Sequence, residues 1–322
     1  MAFQRYICRF VPEDIEAALG RRYMIGPEIA VGGQGAVFRA TRASRPDGTP
    51  ANDDVALKLH FDRRKNARVH PEITATENFS HPNLARPIEH GYCDVAGRHT
   101  RYVAWEFIEG QSLSVLLRDG PLLESEVLAI GRDISSAIAE IWSQRIVHGD
   151  IKPSNIMLRN SDGHIMVGSV DSAVLIDLGA ARYLDQHNTR TLRPSRTLDQ
   201  HDRRAAFRPW GTWGYFSPEQ IKGEKALTCA SDVFSLGVVM LQCLLGRHPT
   251  EYDQYALADG IRASGGRPAA TAGLLYVLDR MLSLLPAIRP NPAELSRRFQ
   301  SLRQTAQAEY AMGDRASMKV QD

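Results

Sequence analysis

Residues 146–158 read Ile-Val-His-Gly-Asp-Ile-Lys-Pro-Ser-Asn-Ile-Met-Leu. Asp150, Lys152 two positions on and Asn155 five positions on occupy a polar loop entered and left by apolar residues. A carboxylate there can orient or deprotonate a hydroxyl, an ammonium can neutralise a phosphate, and a carboxamide oxygen can hold a magnesium ion. Those are the parts of phosphoryl transfer, in which the protein mainly positions the reactants and screens their charge. A strand–loop–strand with a solvated Asp and Lys would carry the same residues, so the remainder of the chain decides.

Working outward, the stretch from Glu28 to Ala40 sets Gly32, Gly33 and Gly35 between two apolar segments. Such a turn lets a backbone approach a triphosphate with no Cβ in the way, and it also serves in plain hairpins. Val55-Ala-Leu-Lys58 is an apolar strand ending in a lysine, and Tyr102 to Leu113 is a strand running into a linker. Val127, Ile130, Ile134, Ala137, Ile138 and Ile141 recur at three- and four-residue spacing. They predict a long helix from Glu124 to about Gln144 that delivers the chain into the polar loop, with Gly131 weakening it. Beyond the loop, Ala173-Val-Leu-Ile-Asp-Leu-Gly179 releases Asp177 from a buried strand, a good position for a second oxygen ligand to a hard cation.

The loop at 148–155 resembles the catalytic loop of eukaryotic-type (Hanks-type) protein kinases, with His148, Asp150 and Asn155 at its spacing. Matches continue in family order from about Tyr23 to Phe299. Gly32, Gly35 and Val37 resemble the glycine-rich loop, whose first glycine falls on Ala30, and Gly-Gly-Gln-Gly suggests a bacterial-type member. Asp177-Leu-Gly resembles Asp-Phe-Gly, and Gly211 to Glu219 resembles the end of the activation segment, with Ser217 for the usual Ala. Asp232 and Gly237 resemble the anchor of the next helix, and Arg289 is expected to pair with Glu219. Lys152 in Asp-x-Lys-Pro-x-Asn is similar to the Ser/Thr branch.

The resemblance implies an α+β, bilobal fold: a small antiparallel sheet with one helix, then a larger, mostly helical lobe. It implies an ATP- and magnesium-dependent kinase acting on Ser or Thr of protein substrates. Asp150 would orient the hydroxyl, Lys152 would stabilise the migrating phosphoryl, and Asn155 and Asp177 would hold magnesium. Lys58 would grip the α- and β-phosphates, clamped by Glu72, with Glu77 as a less favoured substitute and Thr76 where an apolar residue is usual. The nucleotide would also meet Ala30, Val31, Gly32, Gly33, Gln34, Gly35, Val37, Ala56 and Met157, with backbone groups of Glu106 and Ile108 on adenine and the bulky Trp105 at the back pocket. The implied domain is 22–305, divided near 108/109, between a 1–21 extension holding one short helix and a polar, frayed 306–322 tail.

Two departures stand out. Gly149 replaces the arginine that in many kinases binds a phosphate on the activation segment, which predicts activity independent of that phosphate. The 182–208 stretch is long and basic and repeats Leu-Asp-Gln-His at 184–187 and 198–201. It reads as a surface insertion or as a docking strip for an acidic partner.

With 322 residues the chain can form two lobes with a substantial core. A net charge of +2 gives no bulk electrostatic case for nucleic acid or membrane binding. No apolar run approaches bilayer length, Arg5 and Arg9 break the N-terminal stretch, and Cys8, Cys93, Cys229 and Cys243 lack metal-ligand spacing. A cytoplasmic protein with reduced thiols is expected. A nucleotide-binding scaffold without turnover and a small-molecule kinase are the alternative readings.

Overall fold

The computed structural model describes residues 10–31, 35–44, 49–60, 80–161, 164–165, 167, 169, 172–178, 182–183, 212, 214–223, 227–249 and 271–318. The chain divides into two units, the described residues of Met1–Ser80 with Ala85–Ile108, and those of His81–Leu84 with Glu109–Asp322.

In the smaller unit, α1 (Pro12–Ala18) precedes β1 (Tyr23–Val31), β2 (Gly35–Ser44), β3 (Pro50–His60), β4 (Pro87–Val95) and β5 (Arg98–Glu106). The strands form one antiparallel sheet in the order β1-β2-β3-β5-β4. Period-two alternation explains its core: Phe38, Ala40, Val55, Leu57 and Leu59 turn to one face and are buried together with Tyr102 and Ala104. Phe10, Ile15 and Leu19 join that core, so the segment read as an extension packs its apolar side onto the sheet. Pro12 at the helix start and Gly20 in a left-handed conformation just beyond its end explain where α1 begins and stops. Glu16 then accepts the backbone N–H of Ile25 at 2.7 Å. Beside it, the nearly buried Glu89 carboxylate takes Arg22 and the hydroxyls of Tyr23 and Tyr102. Burial alone would raise its pKa, but these donors hold it below the usual carboxylate value.

The larger unit opens with β6 (Gly110–Ser112) and α2 (Leu113–Leu116), then α3 (Glu124–Ser143), the helix expected from periodicity. Its face of Val127, Ile130, Ile134, Ala137, Ile138 and Ile141 is fully buried. Gly131 has a reason to be small: a Cβ there would lie 2.6 Å from the Met240 methyl and 3.1 Å from the Phe299 ring. Then come β7 (Ile146–Val147), β8 (Ile156–Ser161), β9 (His164–Ile165), β10 (Ala173–Leu175) and β11 (Arg182–Tyr183). A small sheet runs β10-β8-β6 with β9 paired to β8, and β11 pairs with β7.

The chain after β8 turns back at once as the hairpin strand β9. Helices α4 (Pro218–Ile221), α5 (Cys229–Leu245), α6 (Ala272–Met281) and α7 (Pro292–Met318) complete the unit. Thr228 caps α5 at one end and Gly246, at φ 69°, closes the other. Helix α6 stops at Met281, and Pro286 then opens a single 3-10 turn.

Helix α7 corrects the expectation of a frayed chain beyond Ala306. Its backbone stays helical to Met318, and Ala306, Ala308, Glu309, Ala311 and Met312 are all good helix formers with no Pro among them. No helix among the described residues is long and apolar enough to cross a membrane.

Candidate active site

The polar loop owes its shape to buried partners from distant sequence. Asp232, in the first turn of α5 and 1% exposed, accepts the backbone N–H groups of both His148 and Gly149 at 2.8 Å. Burial pushes its carboxyl upward, opposed by His148 and by those two donors. His148, fully buried, takes the Asp150 N–H on Nδ1 and donates from Nε2 to the carbonyl of Ile176 at 3.2 Å. Gly149 has φ 76°, a backbone region that disfavours other residues, and its carbonyl accepts from Gln220.

Within this frame Asp150 is held from three sides. Lys152 Nζ donates to Oδ2 at 2.8 Å, the Thr212 N–H to Oδ1 at 2.8 Å and Asn155 Nδ2 to Oδ2 at 3.2 Å. Lys152 also reaches the Thr212 hydroxyl at 2.6 Å. Asn155 Nδ2 is further bound to the Asp150 carbonyl at 2.8 Å, which commits its nitrogen and leaves its oxygen as a cation donor. The Ile176 N–H binds the Asn155 carbonyl at 2.9 Å, and the next residue, Asp177, has φ 59°. Few residues besides Gly, Asn and Asp adopt that conformation, and it turns the carboxylate out of the strand direction. Met157 lies on β8, paired with Val174 and Ser112.

In the smaller unit, strand register sets Val37 opposite Lys58, and Ala56 opposite Trp105, so the four residues share one face of the sheet. Lys58 is 7% exposed. Gly35 opens β2 where a Cβ would lie 2.1 Å from the Leu59 carbonyl oxygen, so only glycine fits. Ala30 and Val31 end β1. Glu106 donates its N–H to the Arg86 carbonyl at 2.8 Å, and Ile108 is buried. Gly32, Gly33, Gln34, Glu72, Thr76 and Glu77 lie outside the described residues, as does nearly all of 182–208.

The protein kinase domain family matches residues 23–294. The chain belongs to the protein kinase family. It is 29% identical over 295 residues to Serine/threonine-protein kinase pkn3 of Myxococcus xanthus, an alignment covering 88% of this chain and 50% of that one. It is 28% identical over 243 residues to a probable serine/threonine-protein kinase PknB of Lactococcus lactis, covering 72% and 33%. It is 32% identical over 249 residues to L-type lectin-domain containing receptor kinase V.9 of Arabidopsis thaliana, covering 75% and 32%. The chain thus spans half the length or less of these relatives. Within the family it is of the Hanks-type Ser/Thr, bacterial kind.

The kinase scaffold pair forms as expected. Arg289 meets both oxygens of Glu219, at 2.6 and 2.9 Å, while Ser231 donates to the same carboxylate and the guanidinium also binds two carbonyls. Burial alone would raise Glu219, but these donors hold it below the ordinary carboxylate value. The Tyr215 hydroxyl, pushed up to about 12 by burial, donates to Gln242. Thr212 was missed as a site residue, as were Gln220 and Asp232 as supports of the loop backbone. Nothing local marks Thr212, which lies 62 residues from Asp150.

Proposed function

We propose that the chain transfers the γ-phosphoryl group of ATP to Ser or Thr hydroxyls of protein substrates, with magnesium as the accompanying cation. The observation that carries this reading is the fixed Asp150 carboxylate, bound by Lys152, Asn155 and Thr212 at 2.8–3.2 Å. A carboxylate so held keeps its lone pairs aimed and can take the proton of an approaching hydroxyl. Lys152, already beside it, would neutralise charge on the migrating phosphoryl.

Lys58, clamped by Glu72, would hold the non-transferred phosphates. Adenine would pair with backbone groups of Glu106 and Ile108 and lie against Val37, Ala56 and Met157. Ala30, Val31, Gly32, Gly33, Gln34 and Gly35 would cover the phosphates. The domain proposed for this chemistry is 22–305.

The donor set suits magnesium, since the Asn155 carboxamide oxygen and the Asp177 carboxylate are hard oxygen ligands. A bound cation would neutralise charge on the β- and γ-phosphate oxygens. A cytoplasmic setting is supported by Cys93, Cys229 and Cys243, all free thiols.

The test is purified protein with labelled ATP and magnesium, wild type against Asp150→Ala. Label on protein from wild type alone supports the reading. Label on a small molecule, or none from either protein, overturns it in favour of a small-molecule kinase or a scaffold without turnover. Gly149 and the Asp150–Thr212 bond also support activity without activation-segment phosphate. Loss of turnover after phosphatase treatment, with the fold intact, would disprove that part.

A further inference from the structure

Strand register places a second set of residues on the sheet face that carries Val37, Ala56 and Lys58. On β2 the residues of that face continue as Arg39 and Thr41, and on β3 they include Asp54. Their side chains form a closed group. Arg39 donates from Nε at 2.9 Å and from a terminal nitrogen at 2.5 Å to one oxygen of Asp54, and the Thr41 hydroxyl donates to the other at 2.8 Å. So anchored, the Arg39 guanidinium lies over the Phe107 ring, 4.4 Å from its centre. Phe107 stands between Glu106 and Ile108, the two residues whose backbone groups are assigned to adenine. The contact distance is well inside the range in which an arginine and an aromatic face attract.

We infer that Arg39, oriented by Asp54, is a positioning residue for nucleotide binding: by stacking on Phe107 it fixes the backbone of residues 106–108 in the conformation that pairs with adenine. The inference rests on the nucleotide assignment made above. Its physical basis is the cost of ordering a linker. Each residue that must settle into one backbone conformation on binding costs conformational entropy. A ring clasped before the ligand arrives removes part of that cost, which raises affinity without adding a ligand contact. Three features of the group serve orientation: a carboxylate filled by two neighbours, a planar guanidinium held through two nitrogens, and an aromatic face beneath it.

The experiment measures binding of a non-hydrolysable ATP analogue with magnesium by calorimetry on the full chain, so turnover is not needed. Arg39→Ala and Phe107→Leu are each expected to weaken binding about three- to tenfold, as for loss of one cation–π contact. The double variant is expected to be no weaker than the worse single one, because both remove the same contact. Arg39→Lys, which keeps the charge and loses the planar stack, should recover only part of the affinity. In assays of turnover the effect belongs in KM for ATP, with KM for the protein substrate unmoved.

Thermal melting of each variant separates misfolding from a local effect, and Asp54→Asn provides a milder route to the same loss of orientation. Affinities of Arg39→Ala and Asp54→Asn within 1.5-fold of wild type, or fully additive effects in the double variant, overturn the inference alone. Failure of the wild-type chain to bind the analogue overturns the nucleotide assignment, and the inference with it.

Discussion

Arg289 meets Glu219 with side chains 0% and 5% exposed, whereas Arg39 meets Asp54 with 40% and 33% exposed. Both are short arginine–carboxylate contacts with a hydroxyl donor on the carboxylate and an aromatic ring against the guanidinium, and what separates them is burial. Glu219 sits on α4, and its partner is further bound to the Ala230 and Ser283 carbonyls and lies against the Phe234 ring. Removing either partner there strands a charge that water cannot reach. Around Arg39 and Asp54 solvent screens the attraction and can replace either partner. The contrast teaches that one chemical pairing serves two ends. In the larger unit it locks a scaffold, and on the sheet it orients a group at little cost to the fold.

The largest effect expected from breaking that contrast is on the buried side. Glu219→Ala should destabilise the protein by about 3–5 kcal/mol, read from denaturant unfolding. A loss under about 1 kcal/mol would erase the difference between the two pairs. Next comes Thr212→Ala, which removes the hydroxyl bound by Lys152. A hydrogen bond to a charged group is worth about 1.5–3 kcal/mol, so kcat/KM should fall about ten- to hundredfold, and Thr212→Ser should restore most of it. Unchanged kinetics in Thr212→Ala would remove that hydroxyl from the site.

The pH dependence sharpens the comparison further. The folded state holds Glu219 below its ordinary pKa, so its contribution to stability is present above the unfolded carboxylate value of about 4.3. That contribution is lost as pH falls through the folded value. Denaturation midpoints followed from pH 7 to pH 3 should therefore drop in wild type and drop less in Glu219→Gln. Asp54 is also lowered, chiefly by its Arg39 and Thr41 hydrogen bonds, so the sign is the same. The smallest effect belongs to Asp54→Asn, expected to change stability by about 1 kcal/mol or less and less still in high salt. A larger change would mean that the sheet pair carries the fold as the buried one does.

Much of this molecule is legible in its residue order, and the legible parts share a cause. Helix α3 was readable because its apolar residues recur at helical spacing. The polar loop was readable because Asp150, Lys152 and Asn155 lie within six positions of one another, so their relation is local. The pairing of Arg289 with Glu219 was expected from family resemblance, since 70 positions separate them and no periodicity joins them. One reading failed where composition and local propensity diverge. Residues 306–318 look polar, yet an alanine-rich stretch continues α7, while the short helix read within the first 21 residues forms and seats Ile15 and Leu19 in the sheet core.

By itself, then, the order of residues determined the chemical inventory of the loop and the long helix before it, and carried the family resemblance that implied the two-unit kinase plan. Local spacing sets which groups share a turn, a strand face or a helix face, and that much needs no tertiary information. Only the folded structure decided that Thr212 and Asp232 close around the loop from 62 and 84 residues away. It alone decided that Gly131 is small to admit Met240 and Phe299, and that Arg39 rests on Phe107. Those relations depend on which elements pack together, and packing is settled by the burial of whole faces, which no single segment encodes.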